Sequence, residues 1–472
     1  MRSRRAPFRV TPLAPAVEAA ALGVLVVAQA LLFGRLVGTD TDYDEGVYLS
    51  SVDALEHGQR LGEDVFAPQP PVFYLLLRLI SALGADSVRG FQIGMVVVAV
   101  VTCLAAYLVG RAIAGPVAGL TAAGLLTVAP PFPLFAHRVL ADLPPLAFAL
   151  LACWLAWEAR ERRSLGLAGA AGAMLALAVA TKPNALLATV PFLLLLLSER
   201  SGRLRLLGAA LAGGVAVGAV LAVAYRSVLG ELWQSVVVYH RDARDTPDVI
   251  DKWHELGTFL QWRTPFAWLV VAGFVASLLL ARRWQTRAVW ALWAWATISL
   301  AFLAYHHPLH YNHLLVLPVV LAVPAGTALG ALAERLAWRS AALGALVLVL
   351  AAGYVQQQRR VGHDDVPEEP ELVAVARVLE RETGPDDLVV SDHSIVPFLA
   401  DRGVAGPLVD TALLRFETGS LTDAEVLREL ERYDVRAVVA GRAFATRPRL
   451  LAALERRFGP PRRVDGIPVF LR

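Results

Sequence analysis

The sequence predicts a mainly α-helical membrane protein, with about eleven transmembrane helices followed by a C-terminal extracytoplasmic α/β domain, and three observations predict it. First, 56% of the 472 residues are hydrophobic and only 18% are charged, against about 25% charged in soluble domains. Mean hydropathy is +0.54. Second, apolar stretches of near membrane length recur along the chain, and short basic clusters fall between alternate ones. Third, the composition changes to a soluble pattern after residue 356.

The apolar stretches run over 15–37, 90–110, 116–135, 143–158, 165–181, 184–198, 206–225, 265–281, 288–305, 313–333 and 340–355. Crossing a hydrocarbon core of about 30 Å takes about 20 residues. The fifth and sixth are short and separated only by the turn around Lys182 and Pro183, so two spans and one re-entrant hairpin both fit. Arg2, Arg4 and Arg5 resemble the basic start of a signal peptide. The stretch that follows is long and has no convincing small-residue cleavage site, so it reads as an uncleaved first helix.

Orientation follows from the basic loops, which stay on the cytoplasmic side. Arg2, Arg4, Arg5 and Arg9 open the chain; Arg111, then Arg160, Arg162 and Arg163, then Arg200, Arg203 and Arg205, then Arg282, Arg283 and Arg287, then Arg335 and Arg339 mark every second loop. This puts the N-terminus in the cytoplasm, and places residues 38–89, 226–263 and everything after 356 outside the plasma (inner) membrane.

Within the first outside loop, 38–89, Leu49 to Leu55 reads as a short amphipathic helix, and Pro70-Pro71 opens a second apolar stretch that contains Arg78. Helices of that kind lie in the interface plane. A crossing at 71–87 would invert every later loop and spoil the charge alternation.

The division is therefore 1–356 for the membrane domain and 357–472 for the outside α/β domain. In the latter, Glu371–Glu382, Asp423–Arg432 with Thr422 as cap, and Arg449–Phe458 read as helices; Leu388–Ser391, Ala437–Ala440 and Ile467–Leu471 read as strands. There is no Gly-rich phosphate loop, and Asp392-His393 reads as a strand-end turn. A net charge of +3, spread over short clusters, gives no nucleic-acid surface. Cys103 and Cys153 fall in apolar spans without metal-ligand spacing and read as packing residues.

The chemistry points to the polar segment after the first span, Thr39-Asp-Thr-Asp-Tyr-Asp-Glu-Gly-Val-Tyr48. Carboxylates just outside a bilayer can take a proton from a hydroxyl or hold a cation. A solvated, helix-capping turn is the plainer account of the same acids. The run continues through Gly58, Phe66, Gln69, Pro70-Pro71 and Tyr74 to Arg89, and the second outside loop carries Ala141-Asp142-Leu143-Pro144.

Asp44-Glu45, Tyr48, Ala54, Gly58, Pro70-Pro71 before an aromatic, Arg89 and the Asp142 motif together resemble the GT-C membrane glycosyltransferases, in the branch of protein O-mannosyltransferases and aminoarabinose transferases. The resemblance covers roughly 15–335 and rests on the layout more than on any single motif. It implies a GT-C arrangement of helices and an enzyme that moves a sugar from a polyprenyl-phosphate donor to an acceptor hydroxyl with inversion. Asp44 matches the general base; Glu45 and Asp142 are assigned as accompanying catalytic carboxylates.

A phosphate leaving group calls for positive charge at the outer face, and Arg89, Arg138, Lys182, Arg241 and Arg244 are placed for it, with Tyr48, His307 and His310 as further donor contacts. Relatives place an acid and a lysine before the proline that follows the first loop; this chain has Pro68-Gln69-Pro70, which puts their metal site in doubt. His240 and Glu45 are the candidates if a divalent cation is used. The partners implied are a lipid-linked sugar donor, membrane lipid, and an acceptor that is a protein, lipid or glycan. A transporter or flippase for lipid-linked saccharides is the alternative, although no internal repeat is evident.

Overall fold

A computed structural model describes residues 13–198, 202–246, 250–259, 264–281, 286–363 and 366–472. Arg2, Arg4, Arg5, Arg9, Arg200, Arg282 and Arg283, which enter the charge alternation, lie outside the described residues. Every one of the eleven apolar stretches is helical for most of its length. Among the described residues six helices are long and apolar enough to cross a membrane: Pro15–Leu36, Val88–Ala114, Arg203–Ala224, Arg287–Tyr305, Tyr311–Ala333 and Arg339–Val361.

The N-terminal helices are α1 (Pro15–Phe33), α2 (Tyr43–Glu56), α3 (Pro71–Ala82), α4 (Val88–Ala114) and α5 (Pro116–Thr127). Helix α2 begins six residues earlier than the amphipathic stretch suggests. Asp42 caps it: its Oδ1 accepts from Glu45 N at 2.9 Å, and Asp42 N donates to Glu45 Oε2 at 3.1 Å. This reciprocal capping box satisfies two backbone donors that the helix start would otherwise orphan, and it puts Asp44 and Glu45 inside the first turn. Helix α3 has 12 residues, about 18 Å at 1.5 Å per residue, the same length as α5. Phe73, Leu77 and Ile80 are buried while Leu75, Leu79 and the following Leu83 are exposed, so α3 packs one apolar face and leaves another uncovered by protein.

The helix Val316–Ala333 is the central one, packed against α5, α4, Pro265–Leu280 and Thr286–Tyr305. Lipid supplies no hydrophobic drive between apolar helices, so close approach of small residues takes over. A Cβ on Gly326 would lie 2.5 Å from Ala122 Cα, and one on Gly330 would lie 2.6 Å from Ala118 Cα; the two helices touch along that small-residue seam. Leu165–Val179 ends before Lys182, a 3-10 turn covers Pro183–Ala188, and Thr189–Leu196 follows. The chain is thus broken at Lys182, where Pro183 removes a helical donor.

The C-terminal unit is a four-stranded sheet in the order β1-β2-β4-β3, with β1 (Val389–Ser391), β2 (Ala437–Val439), β3 (Arg462–Val464) and β4 (Ile467–Leu471). β1 and β2 are parallel; β2/β4 and β3/β4 are antiparallel. The three helices expected from periodicity form at Pro370–Glu382, Asp423–Arg432 and Pro448–Phe458, with Thr422 as cap of the second. Strand β3 is the addition: its Arg462-Arg463-Val464 has no alternation to read, and the Asp465-Gly466 turn after it pairs it with β4. Asp392 accepts from the backbone amides of Gly441, Arg442 and Phe444 at 2.7, 2.7 and 2.8 Å, which ties β1 to the loop after β2 as a strand-end turn.

This unit docks on α2. Ser394 Oγ donates to Tyr43 O at 2.5 Å, Ser50 Oγ donates to Ser394 O at 3.0 Å, and Gln59 bridges Val404 O and Gly406 N. Contact at Gly46 is so close that an added Cβ would lie 2.7 Å from the Ser394 carbonyl carbon and would overlap Ile395 N. Glycine is required there by the approach of another backbone.

Candidate active site

Five carboxylates converge where α2, the loop before Leu143–Arg162 and the C-terminal unit meet: Asp42, Asp44, Glu45, Asp142 and Asp410. Asp42 is spent on capping. Glu45 is fully buried, and both its oxygens are taken. Val139 N donates to Oε1 at 2.7 Å; Arg138 Nη1 donates to Oε2 at 2.9 Å. Arg138 also reaches Asp40, through its carbonyl at 3.3 Å and its carboxylate at 3.5 Å. Burial raises the Glu45 carboxyl to about 7, with Asp42 repelling it and Arg138 opposing the rise. Its role is therefore a clamp between the first and second loops, and Arg138 is committed to it.

The clamp fixes the loop that carries Asp142. That residue stands at a helix start yet makes no capping bond. Instead Lys182 Nζ lies 2.6 Å from Asp142 Oδ1, and Asn312 Nδ2 donates to Oδ2 at 3.2 Å. Two separate segments thus close on one carboxylate. A buried ammonium needs such a partner, and with three donors it keeps two after the Asp142 bond.

Asp44 is different. Its side chain is half-buried, and among the described residues no hydrogen bond or ion pair reaches its carboxylate. It is ringed by protein but keeps contact with solvent, as a group facing a cleft does. Burial, then the repulsion of Asp42 and Asp410, pushes its pKa to about 8, and Lys182 pulls the other way. Tyr48, one turn further along α2, is buried with its OH accepting from Gln69 Nε2 at 3.2 Å and its ring edge-on to Phe73 at 4.8 Å. The Gln69 that replaces the expected acid-lysine pair thus serves to fix a tyrosine beside Asp44.

Around Lys182 gather imidazoles. The rings of His306 and His313 are 4.8 Å apart and those of His310 and His313 are 5.5 Å apart. Burial lowers His240 and His306 to about 4, and the Lys182 charge adds to this, so both are neutral at physiological pH. His307 Nε2 lies 3.2 Å from Lys252 Nζ, which also donates to His306 O at 2.7 Å. The chain has two lysines, and both stand at this face of the site.

The structure does not bring in Arg89, which is exposed at the start of α4, or Arg241, exposed and paired with its neighbour Asp242 at 2.9 Å. Arg244 is exposed as well. Nor do Glu45 and His240 assemble a cation site: Glu45 is filled by Arg138 and Val139, and among the described residues no group of three or more His, Cys, Asp or Glu is disposed to hold a metal ion. No step is assigned to a metal on these residues.

Sequence reasoning missed Tyr43, Asn312 and Asp410. Tyr43 OH donates to Asp410 Oδ1 at 3.1 Å and accepts from Thr411 N at 2.9 Å. Only the fold could show this, because the partners lie 367 and 368 positions away. The capping role of Asp42 was missed too, although an acid followed three residues later by Glu is a helix-start signature.

Comparison with solved structures places this architecture. The chain aligns over 97% of its length with 98% of ArnT from Cupriavidus metallidurans bound to undecaprenyl phosphate, at TM-score 0.69 and 15% identity. This is the GT-C fold. The same GT-C fold aligns over 90% of the chain with 69% of the archaeal oligosaccharyltransferase AglB from Archaeoglobus fulgidus, in complex with an inhibitory peptide and a dolichol-phosphate, at TM-score 0.56 and 13% identity. Residues 68–225, from before α3 to the end of Arg203–Ala224, match the family dolichyl-phosphate-mannose-protein mannosyltransferase. No curated protein sequence matches the chain. The GT-C frame of this multi-pass membrane protein carries the five-carboxylate site at one end of its helices.

Proposed function

We propose that this chain is an integral-membrane glycosyltransferase that moves a sugar from a polyprenyl phosphate to an acceptor hydroxyl at the outer face of the membrane. One observation carries the reading: of the carboxylates at the site, Asp44 alone has no hydrogen bond or ion pair among the described residues. Its neighbours hold the scaffold, and it is left for substrate. The family match and the ligands of the similar structures, undecaprenyl phosphate and dolichol-phosphate, supply the donor class.

In this reading residues 1–356 are the catalytic membrane domain with eleven crossings, and 357–472 lie outside the cell membrane. Asp44 takes the proton of the acceptor hydroxyl; the oxygen attacks the anomeric carbon from the face opposite the phosphate; the bond from that carbon to the phosphate oxygen breaks, and configuration inverts. A carboxyl raised towards neutrality is a stronger base than an exposed one once ionised. Lys182, with donors left after its Asp142 bond, faces the departing phosphate, and the neutral imidazoles of His240 and His306 supply N–H donors without adding charge to be buried. Arg138 is taken up by Glu45 and is assigned to position the loops.

The test is transfer by purified protein from a polyprenyl-phosphate-linked sugar, with Asp44→Asn as the comparison. Loss of turnover in a folded, inserted Asp44→Asn protein is the expected result. Near-wild-type turnover sinks the base assignment.

A further inference from the structure

Where α1 and Arg339–Val361 end side by side, a cleft of about 380 Å³ opens, lined by Arg35, Val355, Gln358, Arg359, Gly362 and His363. Sites for small ligands run from about 300 to 1,000 Å³. The lining brings two guanidiniums and an imidazole, and no acid among the described residues belongs to it. None of these residues takes part in the site around Asp44.

Arg35 is fixed by the neighbouring helix. Its Nη1 donates to Gln358 O at 3.1 Å and to Gln358 Oε1 at 3.0 Å. Gln358 Nε2 donates in turn to Tyr354 OH at 2.9 Å, and Tyr354 OH donates to Ala28 O at 3.1 Å. This relay leaves Arg35 Nε and Nη2 without a hydrogen bond among the described residues, and the side chains of Arg359 and His363 make none there either. A helix C-terminus repels anions through its unmet carbonyls. Here Gln358 O also accepts from Gly362 N at 3.2 Å, and Arg360 O accepts from His363 N at 2.9 Å. Unspent cationic donors beside capped carbonyls suit a phosphate, whose oxygens a guanidinium can bind in pairs.

The cleft opens on lipid. Protein buries only 17% of the apolar window of Pro15–Leu36 and 11% of that of Arg339–Val361, and Val27, Leu31, Leu348 and Val355 are exposed. In a bilayer these side chains meet acyl chains, while the helix ends reach headgroup depth. Snorkelling accounts for a single arginine in such a place. It does not account for one braced by a second helix, with another arginine and an imidazole in the same cleft. Basic pockets between membrane helices take anionic headgroups. We infer that this cleft binds the phosphate of an anionic glycerophospholipid, whose acyl chains lie along α1 and Arg339–Val361. With residues 357–472 outside, as proposed above, that lipid comes from the outer leaflet; the binding itself does not depend on glycosyl transfer.

The experiment uses full-length protein in phosphatidylcholine nanodiscs containing phosphatidylglycerol, with retained lipid counted by native mass spectrometry after release. Wild type should retain one phosphatidylglycerol about tenfold or more in preference to phosphatidylcholine. Arg359→Ala, which breaks no contact within the protein, should weaken that retention about threefold. The double variant Arg35→Ala, Arg359→Ala should weaken it about tenfold or more, as lost charged hydrogen bonds do. Arg360→Ala, at the same helix end but outside the cleft, should stay within about twofold of wild type. Glycerol phosphate, which lacks the apolar chains, should compete about a hundredfold more weakly than the lipid. A wild type without preference, unchanged retention in the double variant, or equal loss in Arg360→Ala overturns the inference. So does glycerol phosphate competing as well as the lipid, or polyprenyl phosphate retained in place of phosphatidylglycerol. Sugar transfer assayed in parallel tests the proposed activity by itself, because its failure leaves the lipid contrast intact.

Discussion

Lys182 Nζ and Asp142 Oδ1 are 2.6 Å apart, both in largely buried side chains. One sits in a helix break, the other in the loop held down by Glu45, so this bond joins two parts of the membrane domain at the site. The charges are matched, and neither is tolerated alone in a low-dielectric setting.

Lys182→Ala is therefore expected to lower stability by about 3–5 kcal/mol, the cost of stranding a buried partner, and to weaken donor use. The double variant Lys182→Met, Asp142→Leu should recover most of the stability and none of the activity. Thermal unfolding in detergent, with the donor KM, reads both; a double variant as unstable as the single one would contradict the pairing argument.

For Asp44→Asn the expected loss in turnover is about 10²–10⁴-fold, the range for a general base. The wild-type kcat/KM should rise with pH towards an inflection near 8, because the base works ionised and its carboxyl is pushed to about 8. A profile flat from pH 6 to 9 would count against Asp44 as the titrating group.

Stability carries the opposite sign. An unfolded Asp has a pKa of about 3.9, and the folded value is about 8, so between these limits the folded state binds more protons. Stability then falls as pH rises through that window. Asp44→Asn, which cannot ionise, should gain stability relative to wild type from pH 5 to pH 8. Unfolding midpoints of the two proteins at both pH values check this.

Gly46→Ala should cost about 1–3 kcal/mol by overpacking, because the new methyl meets backbone at Ser394 and Ile395. Hydrogen exchange should rise in 389–411 while the membrane helices stay protected. Unaltered exchange there would mean the docking seen at α2 is not what holds the C-terminal unit.

Arg138→Ala leaves the fully buried Glu45 without its cation, whereas Glu45→Gln keeps an acceptor for Val139 N. Melting temperatures should fall in the order wild type, Glu45→Gln, Arg138→Ala. The reverse order of the two variants would remove the clamp reading.

Much of this protein is legible in its residues. Apolar runs of membrane length can hardly be anything but helices, because lipid leaves no other way to satisfy the backbone. The alternating strands and amphipathic helices after residue 356 announce themselves for a like reason: each has one dry face. Asp44 was singled out in the sequence through the company it keeps along the chain. Glu45 and Arg138 were named for chemistry and positioned for structure, since nothing local says that one will neutralise the other. Arg89 and Arg241, equally plausible as isolated cations, ended up on the surface.

By itself the sequence determined the helices, the α/β elements after residue 356 and the acidic turn, all properties of residues within a few positions of one another. Only the tertiary structure decided which charges cancel and which remain available. Lys182 finds Asp142 across 40 positions, Arg138 finds Glu45 across 93, and Asp410 reaches Tyr43 across 367. Electrostatic pairing acts through space, and a chain's spacing along the sequence does not encode it. What those pairings leave over is Asp44.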